Sequence, residues 1–151
     1  LVPPTAEPGT VSTAAVPVAP CAAGLPAFDE QVVRARLGDN ARLFEKMVRL
    51  FLEDCPARMR AMRRAIAAGD GKALREPAHA LRGAAANFAA APVVEAAQRL
   101  ELQAKNGELS QSLAAYDVLT REMQRLRRAL RRASVRPRAT ARRKRAEEAG
   151  P

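Results

Sequence analysis

Apolar residues recur every three or four positions along most of the chain, which is the spacing of one face of an α-helix. The longest such stretch lies between Asn40, which can cap a helix, and Gly69, which can end one. Pro56 interrupts this stretch and is expected to kink the helix. The predicted apolar face of this helix consists of Leu43, Met47, Leu50, Phe51, Met59, Met62 and Ile66.

Four further helices are predicted around this stretch, one before it and three after it. Their predicted limits are Asp29 to Gly38, about Lys72 to Ala89, Pro92 to the pair Asn106-Gly107, and Ser110 or a neighbour to beyond Leu130. The predicted buried stripe of the third helix consists of Leu74, Ala78, Leu81, Ala85 and Phe88. The positions that define the predicted fourth and fifth helices are Val94, Ala97, Leu100, Glu101 and Ala104, and then Leu113, Tyr116, Leu119, Met123, Leu126 and Leu130.

Short loops between long amphipathic helices predict antiparallel neighbours. The chain has one Tyr, four Phe and no Trp, which is a poor composition for β-sheets. We therefore predict an all-α fold, an antiparallel four-helix bundle with a short additional N-terminal helix.

Composition divides the 151 residues into three parts. Residues 1–27 hold more than half of the prolines and are predicted to be a Pro/Ala-rich linker. Residues 28–133 form the predicted bundle, and residues 134–151 form a predicted basic disordered tail. The first residue is Leu instead of Met, so we expect a segment of a longer protein.

The net charge of +10 raises the alternative of a helical nucleic-acid-binding protein that uses its Arg-rich C-terminus. Most of the excess charge follows residue 120, however, and "RPRATARRKRA" has no aromatic residue to stack on bases. We therefore expect no specific nucleic acid as a binding partner. No apolar run approaches the roughly 18 residues of a membrane span, so we expect no direct membrane insertion. Cys21 and Cys55 are expected to be free thiols in a reducing cytoplasm.

His79 is the only histidine, and Arg82, Gly83 and Ala86 share its face at helical spacing. Glycine inside a helix costs about 0.5–1 kcal/mol relative to alanine, which indicates that another molecule approaches Gly83. A metal site needs more ligands on this face, and a hydrolase needs an activated nucleophile or an acid–base pair. Two interpretations of His79 remain. It is either a nucleophile that works within the active site of a partner protein or an incidental histidine of a structural bundle.

The segment "HALRGAAANFAA" at 79–90, followed by "RLE" at 99–101, resembles the histidine-containing phosphotransfer (HPt) domain. The resemblance extends through "LFLEDCP" and "AIAAGD" and covers about residues 28 to 130. It implies a four-helix bundle that carries a phosphoryl-accepting histidine and takes part in two-component signalling.

The resemblance implies that His79 accepts a phosphoryl group from an aspartate of a receiver domain and passes it to the aspartate of another. The implied partners are response-regulator receiver domains and a parent histidine kinase, most naturally a hybrid sensor kinase. No ATP-binding signature occurs, so the domain is expected to be a carrier without kinase activity, with no cofactor or metal of its own. Mg²⁺ is expected on the receiver, and the location is expected to be cytoplasmic, including as the cytoplasmic part of an inner-membrane sensor kinase.

Further residue roles also follow from the resemblance. Arg82 stands where the family usually has lysine, and Gly83 matches the glycine that lets a receiver approach. Glu101 and Lys105 fall where some members place polar groups facing the histidine. Two positions depart from the family: Ala89, where glycine is frequent, and Pro77, which is expected to loosen the helix two residues before His79.

Overall fold

The computed structural model describes residues 24–135, and this part of the chain is helical. The helices are α1 (Glu30–Arg36), α2 (Ala41–Ala68), α3 (Gly71–Ala86), α4 (Ala91–Asn106) and α5 (Ser112–Val135), with a 3₁₀ turn at Leu109–Gln111. The fifth helix thus begins at Ser112, after the 3₁₀ turn that includes Ser110.

Short polar side chains start the first three helices. The side chains of Asp29, Asn40 and Asp70 accept hydrogen bonds from the backbone N–H of Val32, Leu43 and Ala73 at 3.0–3.1 Å. These contacts satisfy donors that have no partner inside a helix. The predicted caps Asp29 and Asn40 are therefore confirmed.

Left-handed glycines end two of the helices. Gly69 (φ 66°) closes α2 and Gly107 (φ 73°) closes α4, where residues with a Cβ are disfavoured. Pro92 lies in the first turn of α4, where its missing N–H removes no helical hydrogen bond. All three features agree with the sequence prediction.

Helices α2 to α5 form an antiparallel bundle, and the predicted fold class is confirmed. Each of the four packs against two neighbours: α2 on α3, α3 on α4, α4 on α5, and α5 on α2. Viewed along the bundle axis, the four helices therefore occupy the corners of a square, with α3 and α5 at opposite corners. Helix α1 lies outside this square and is held to α2 by stacking of Phe28 on Phe44, whose ring centroids are 6.5 Å apart.

The core stripe of α3 was predicted in the right phase, because Leu74, Ala78, Leu81, Ala85 and Phe88 are all buried. In α2 the prediction was partly wrong, because the buried residues are Phe44, Val48, Phe51, Cys55, Met62 and Ala65.

Leu43 and Leu50 are exposed, contrary to the prediction, and Leu113 is exposed as well. Leu43 and Leu50 each precede a buried Phe and lie about 100° around the helix from it. Two adjacent apolar columns run along this part of α2, and packing against α3 and α5 buries only one. Leu113 is likewise displaced from the buried Ser112, Ala115 and Tyr116.

The predicted end of the third helix was also wrong, since α3 stops at Ala86 instead of Ala89. Ala89 has a left-handed backbone (φ 48°), which cannot continue a right-handed helix. This conformation also gives a physical reason for a glycine to be favoured at that position.

Pro56 and Pro77 lie inside α2 and α3, and both helices run past them without a break. A proline has no N–H, so the carbonyl four residues earlier loses its helical partner, and in α3 this is the carbonyl of Ala73. The kink at Pro56 and the looser helix before His79 stay predictions.

The predicted linker and tail lie mostly outside the described residues, which leave out 1–23 and 136–151. At the C-terminal side, α5 continues through Ser134 to Val135, two residues past the predicted limit of the bundle. Among the described residues, no helix has the length and apolar character that crossing a membrane requires.

Candidate functional site

His79 lies on the outer face of α3, on the side away from the core. Its neighbours along the chain, Ala78 and Leu81, are fully buried, whereas the His79 side chain is 63% exposed. The Asp70 cap fixes the start of this helix, and the stripe from Leu74 to Ala85 fixes its rotation about its axis. Folding of α3 therefore presents the imidazole to solvent, as the sequence predicted.

Glu101 on α4 faces the histidine across the α3–α4 interface. Its Oε1 lies 2.9 Å from His79 Nδ1, and the Glu101 side chain is only 19% exposed. An ionised carboxylate can only accept hydrogen bonds, so Nδ1 carries the hydrogen and donates it to Glu101. In the neutral ring this leaves the lone pair on Nε2, which has no hydrogen-bond partner among the described residues.

Arg82 completes a cluster of three side chains with His79 and Glu101. Its Nη2 lies 3.1 Å from His79 Nδ1, and its Nε lies 2.9 Å from Glu101 Oε2. Since Arg82 is always a donor, it cannot hydrogen-bond to an Nδ1 that already carries a hydrogen. The Glu101 carboxylate is therefore the ionic partner of Arg82. The Arg82 guanidinium lies close to the imidazole ring without a hydrogen bond to it.

The pairing of Arg82 with Glu101 is incomplete. Arg82 Nε and Glu101 Oε2 lie at ion-pair distance, yet both atoms are buried without an aligned hydrogen bond. Buried polar atoms normally have such a partner. The buried Nε cannot meet a molecule that arrives from solvent, so any such contact would be made by Nη2, which lies beside the imidazole.

Gly83 and Ala86 make the surface beside His79 flat. A Cβ added at Gly83 would meet no atom within 4 Å outside its own helix turn, and Ala86 is exposed. Gly83 is therefore not required by packing inside this domain. Open space at this point fits the prediction that another molecule comes close.

Lys105, the remaining predicted supporting residue, lies one turn beyond Glu101 on α4 and is exposed. It makes no ion pair or side-chain hydrogen bond with another described residue. The structure thus brings together His79, Arg82 and Glu101, with Gly83 and Ala86 beside them, and leaves Lys105 outside the cluster.

Arg36 at the end of α1 was not anticipated from the sequence. Its Nη1 donates to the backbone carbonyl of Ala86 at 3.4 Å, so it reaches the same face of α3. Fifty residues separate the two partners, and no local pattern could have shown that α1 ends here.

Other candidate groups in the described residues lie away from this face. Burial, followed by the charge of Asp54, raises the pKa of the Cys55 thiol from 9.0 to about 12, so the thiol stays protonated and unreactive. No group of three or more His, Cys, Asp or Glu side chains between residues 24 and 135 could hold a metal ion. A groove between α2 and α5, lined by basic side chains together with Glu45, Glu53 and Leu52, does not include His79.

The sequence profile of the Hpt domain family matches residues 46–129, which include α3, α4 and most of α2 and α5. The chain belongs to the Hpt domain family. Its function is therefore histidine phosphotransfer in two-component phosphorelays, as the resemblance of "HALRGAAANFAA" implied. The nucleic-acid-binding alternative has no support from this match.

A solved structure gives the same answer for the fold of this Hpt domain. The crystal structure of histidine-containing phosphotransfer protein B (HptB) from Pseudomonas aeruginosa PAO1 superposes with a TM-score of 0.70 at 27% identity. The similarity covers 75% of this chain and 98% of that one. No curated protein sequence matches the chain.

Proposed function

We propose that His79 is the phosphoryl-accepting residue of this Hpt domain. The observation that carries this proposal is the contact of His79 Nδ1 with Glu101 Oε1 at 2.9 Å, which leaves Nε2 as the free nucleophile on a mostly exposed ring. His79 is also the only histidine of the chain.

Each transfer is a displacement at phosphorus between two proteins. The Nε2 lone pair attacks the phosphorus of an aspartyl phosphate, so that a P–N bond forms and the bond to the carboxylate oxygen breaks. The aspartate leaves as a free carboxylate, and the ring keeps its hydrogen on Nδ1. In the next transfer the carboxylate of a second receiver attacks phosphorus, and the electron pair of the P–N bond returns to Nε2.

Glu101 and Arg82 support this exchange through charge. The ring becomes positively charged when Nε2 bonds to phosphorus, and the Glu101 carboxylate at Nδ1 stabilises that charge. The unused donors of Arg82 can bind phosphoryl oxygens, because phosphoryl transfer depends mainly on positioning and electrostatic stabilisation. Gly83 and Ala86 leave room for the receiver, and Lys105 lies at the edge of the area it would cover.

The remaining chemistry belongs to the partner. Mg²⁺ is expected on the receiver domain, and this domain acts as a carrier with no cofactor and no ATP-dependent step of its own. We place it in the cytoplasm beside or within a hybrid sensor histidine kinase. The Pro/Ala-rich composition of residues 1–27 supports attachment to such a parent chain.

Phosphotransfer from an aspartyl-phosphorylated receiver, followed by mapping of the label, tests the proposal. We expect acid-labile, base-stable phosphate on the wild-type protein. His79→Gln is expected to keep the helical circular dichroism spectrum and lose the label entirely, because glutamine cannot act as a nucleophile toward phosphorus. Gln124→Ala, on an exposed position of α5 at the corner opposite α3, serves as the control and should label normally. Label that persists in His79→Gln would refute the assignment.

A further inference from the structure

Helix α1 is fixed on the bundle although it lies outside the four-helix square. Val33 is almost completely buried, and the Arg34 guanidinium lies 5.3 Å from the centroid of the Phe44 ring, a cation–π distance. Phe28 stacks on the same ring. These contacts attach α1 to α2, and Arg36 lies at the C-terminal end of α1.

Arg36 is exposed and only lightly engaged. It donates one long hydrogen bond of 3.4 Å to the carbonyl of Ala86, the last residue of α3, and forms no ion pair with another described residue. The same carbonyl also accepts a hydrogen bond of 3.0 Å from the N–H of Ala89, so Arg36 is its second donor, and the C-terminal end of a helix attracts cations. The α3 terminus therefore holds the guanidinium at this face while most of its donors remain free.

Arg36 lies within reach of any protein that docks on His79. Ala86 is seven residues from His79, which is about 10 Å along the helix axis. A standard interface buries about 800 Å² on each partner, equivalent to a disc of roughly 16 Å radius. A receiver centred on His79 would therefore cover Gly83, Ala86 and the Arg36 guanidinium.

We propose that Arg36 is a recognition residue for the receiver, where it pairs with a carboxylate near the rim of the receiver's docking surface. The inference rests on the proposed function of His79. Arg36 is too far from Nε2 to touch the transferred group, so it acts on binding and orientation. The cation beside the reacting group, Arg82, already has Glu101 as a partner, whereas Arg36 has no acidic partner in the described domain.

The test is a comparison of steady-state transfer kinetics for four proteins: wild type, Arg36→Ala, Arg36→Lys and Arg36→Glu. The probe is the receiver domain from the protein's own genome to which the wild type transfers phosphoryl fastest. We expect Arg36→Ala to raise KM for the receiver about two- to fivefold, the range for an exposed ion pair, and to leave kcat unchanged. Arg36→Glu should raise KM further through repulsion, and Arg36→Lys should stay near wild type.

Salt dependence and a matched control separate recognition from a structural role. The KM of the wild type should rise with ionic strength more steeply than that of Arg36→Ala, because screening weakens only an interaction that is present. Arg128→Glu, an exposed charge reversal on α5 at the opposite corner, should leave KM unchanged. An unchanged KM for Arg36→Glu at low salt, or a fall in kcat alone, overturns the proposal.

A small phosphoryl donor distinguishes this inference from the proposed function. Phosphoramidate needs no protein docking surface, so wild type and Arg36→Glu should be labelled on His79 at equal rates. If the wild type is not labelled on His79, the proposed function fails. If labelling is equal and KM for the receiver is also equal, only the inference about Arg36 fails.

Discussion

Two glycines of the same helix, Gly71 and Gly83, have opposite surroundings. A Cβ at Gly71 would lie 2.9 Å from the carbonyl oxygen of Ala104 on α4, whereas a Cβ at Gly83 would meet nothing within 4 Å. The N-terminal turn of α3 is thus closed against its own domain, and the turn after His79 is open. Packing within the domain does not require glycine at position 83. A glycine at such an exposed helix position indicates a surface that another molecule covers.

The largest effect is expected at the open glycine. Gly83→Gln should slow transfer to a receiver about 100-fold, since a long side chain beside His79 displaces the partner, and misplacement by about 1 Å can have this effect. The melting temperature should not fall, because glutamine has the higher helix propensity. Single-turnover transfer and thermal unfolding measure the two properties, and transfer at the wild-type rate would contradict this view of the open face.

Replacing each glycine by alanine compares the two surroundings directly. Gly71→Ala should lower the free energy of unfolding by about 1–3 kcal/mol, because a backbone carbonyl must move to make room for the new methyl group. Gly83→Ala should raise it by up to about 1 kcal/mol through helix propensity alone. Urea unfolding of the two variants gives both values, and a change of the same sign in both would remove the distinction.

Arg82→Ala tests the charge on the open side. A charge-assisted hydrogen bond contributes about 1.5–3 kcal/mol, which corresponds to a rate loss of roughly 10- to 150-fold if it acts fully in the transition state. The Arg82 side chain is 34% exposed, so we expect a loss near tenfold. Rapid-quench transfer assays measure it. A loss as complete as that of His79→Gln would mean that Arg82 has a further role.

Ala89 lies beyond the open turn, where the chain passes from α3 into α4. Its left-handed backbone costs an alanine about 1 kcal/mol, and glycine avoids this cost. Part of the gain is lost because glycine gives the unfolded chain more freedom. We expect Ala89→Gly to stabilise the fold by less than 1 kcal/mol in urea unfolding, with unchanged transfer. Ala90→Gly, at a position with negative φ (−88°), should be destabilising and is the control.

The smallest effect is expected for removal of the basic tail. The last buried residue of α5 is Ala133, and the helix ends at Val135, so a chain that stops after Val135 keeps every described core contact. It should transfer phosphoryl at nearly the full-length rate. The full-length protein should bind DNA only weakly, with steep salt dependence. Tight, sequence-selective binding that is lost on truncation would give the tail a function of its own.

Local signals in the sequence were sufficient for much of this structure. Caps such as Asp29 and Asn40, the helix end at Gly69, and the core stripe of α3 depend on residues within a few positions of one another. The exposed face of His79, Arg82 and Gly83 follows from the same spacing.

Features that depend on packing between distant segments could not be obtained in this way. Burial of Phe44 instead of Leu43 is decided by the neighbouring helices, and the left-handed Ala89 by the turn into α4. The close approach of Gly71 to Ala104 and the bond from Arg36 to Ala86 join residues far apart in sequence. The contact of Glu101 with His79 was anticipated only from the family resemblance.

The segment before α1 enters the domain on the side of α5. Arg125, which is paired with Glu122, donates from Nη2 to the carbonyl of Leu25 at 2.8 Å. Helix α5 is at the corner diagonal to α3, and two helix diameters make the path around the bundle at least about 20 Å. A receiver joined through this end of the chain would need roughly six extended residues of linker to reach His79. Linker length before Leu25 would then control the local concentration of such a receiver at the histidine.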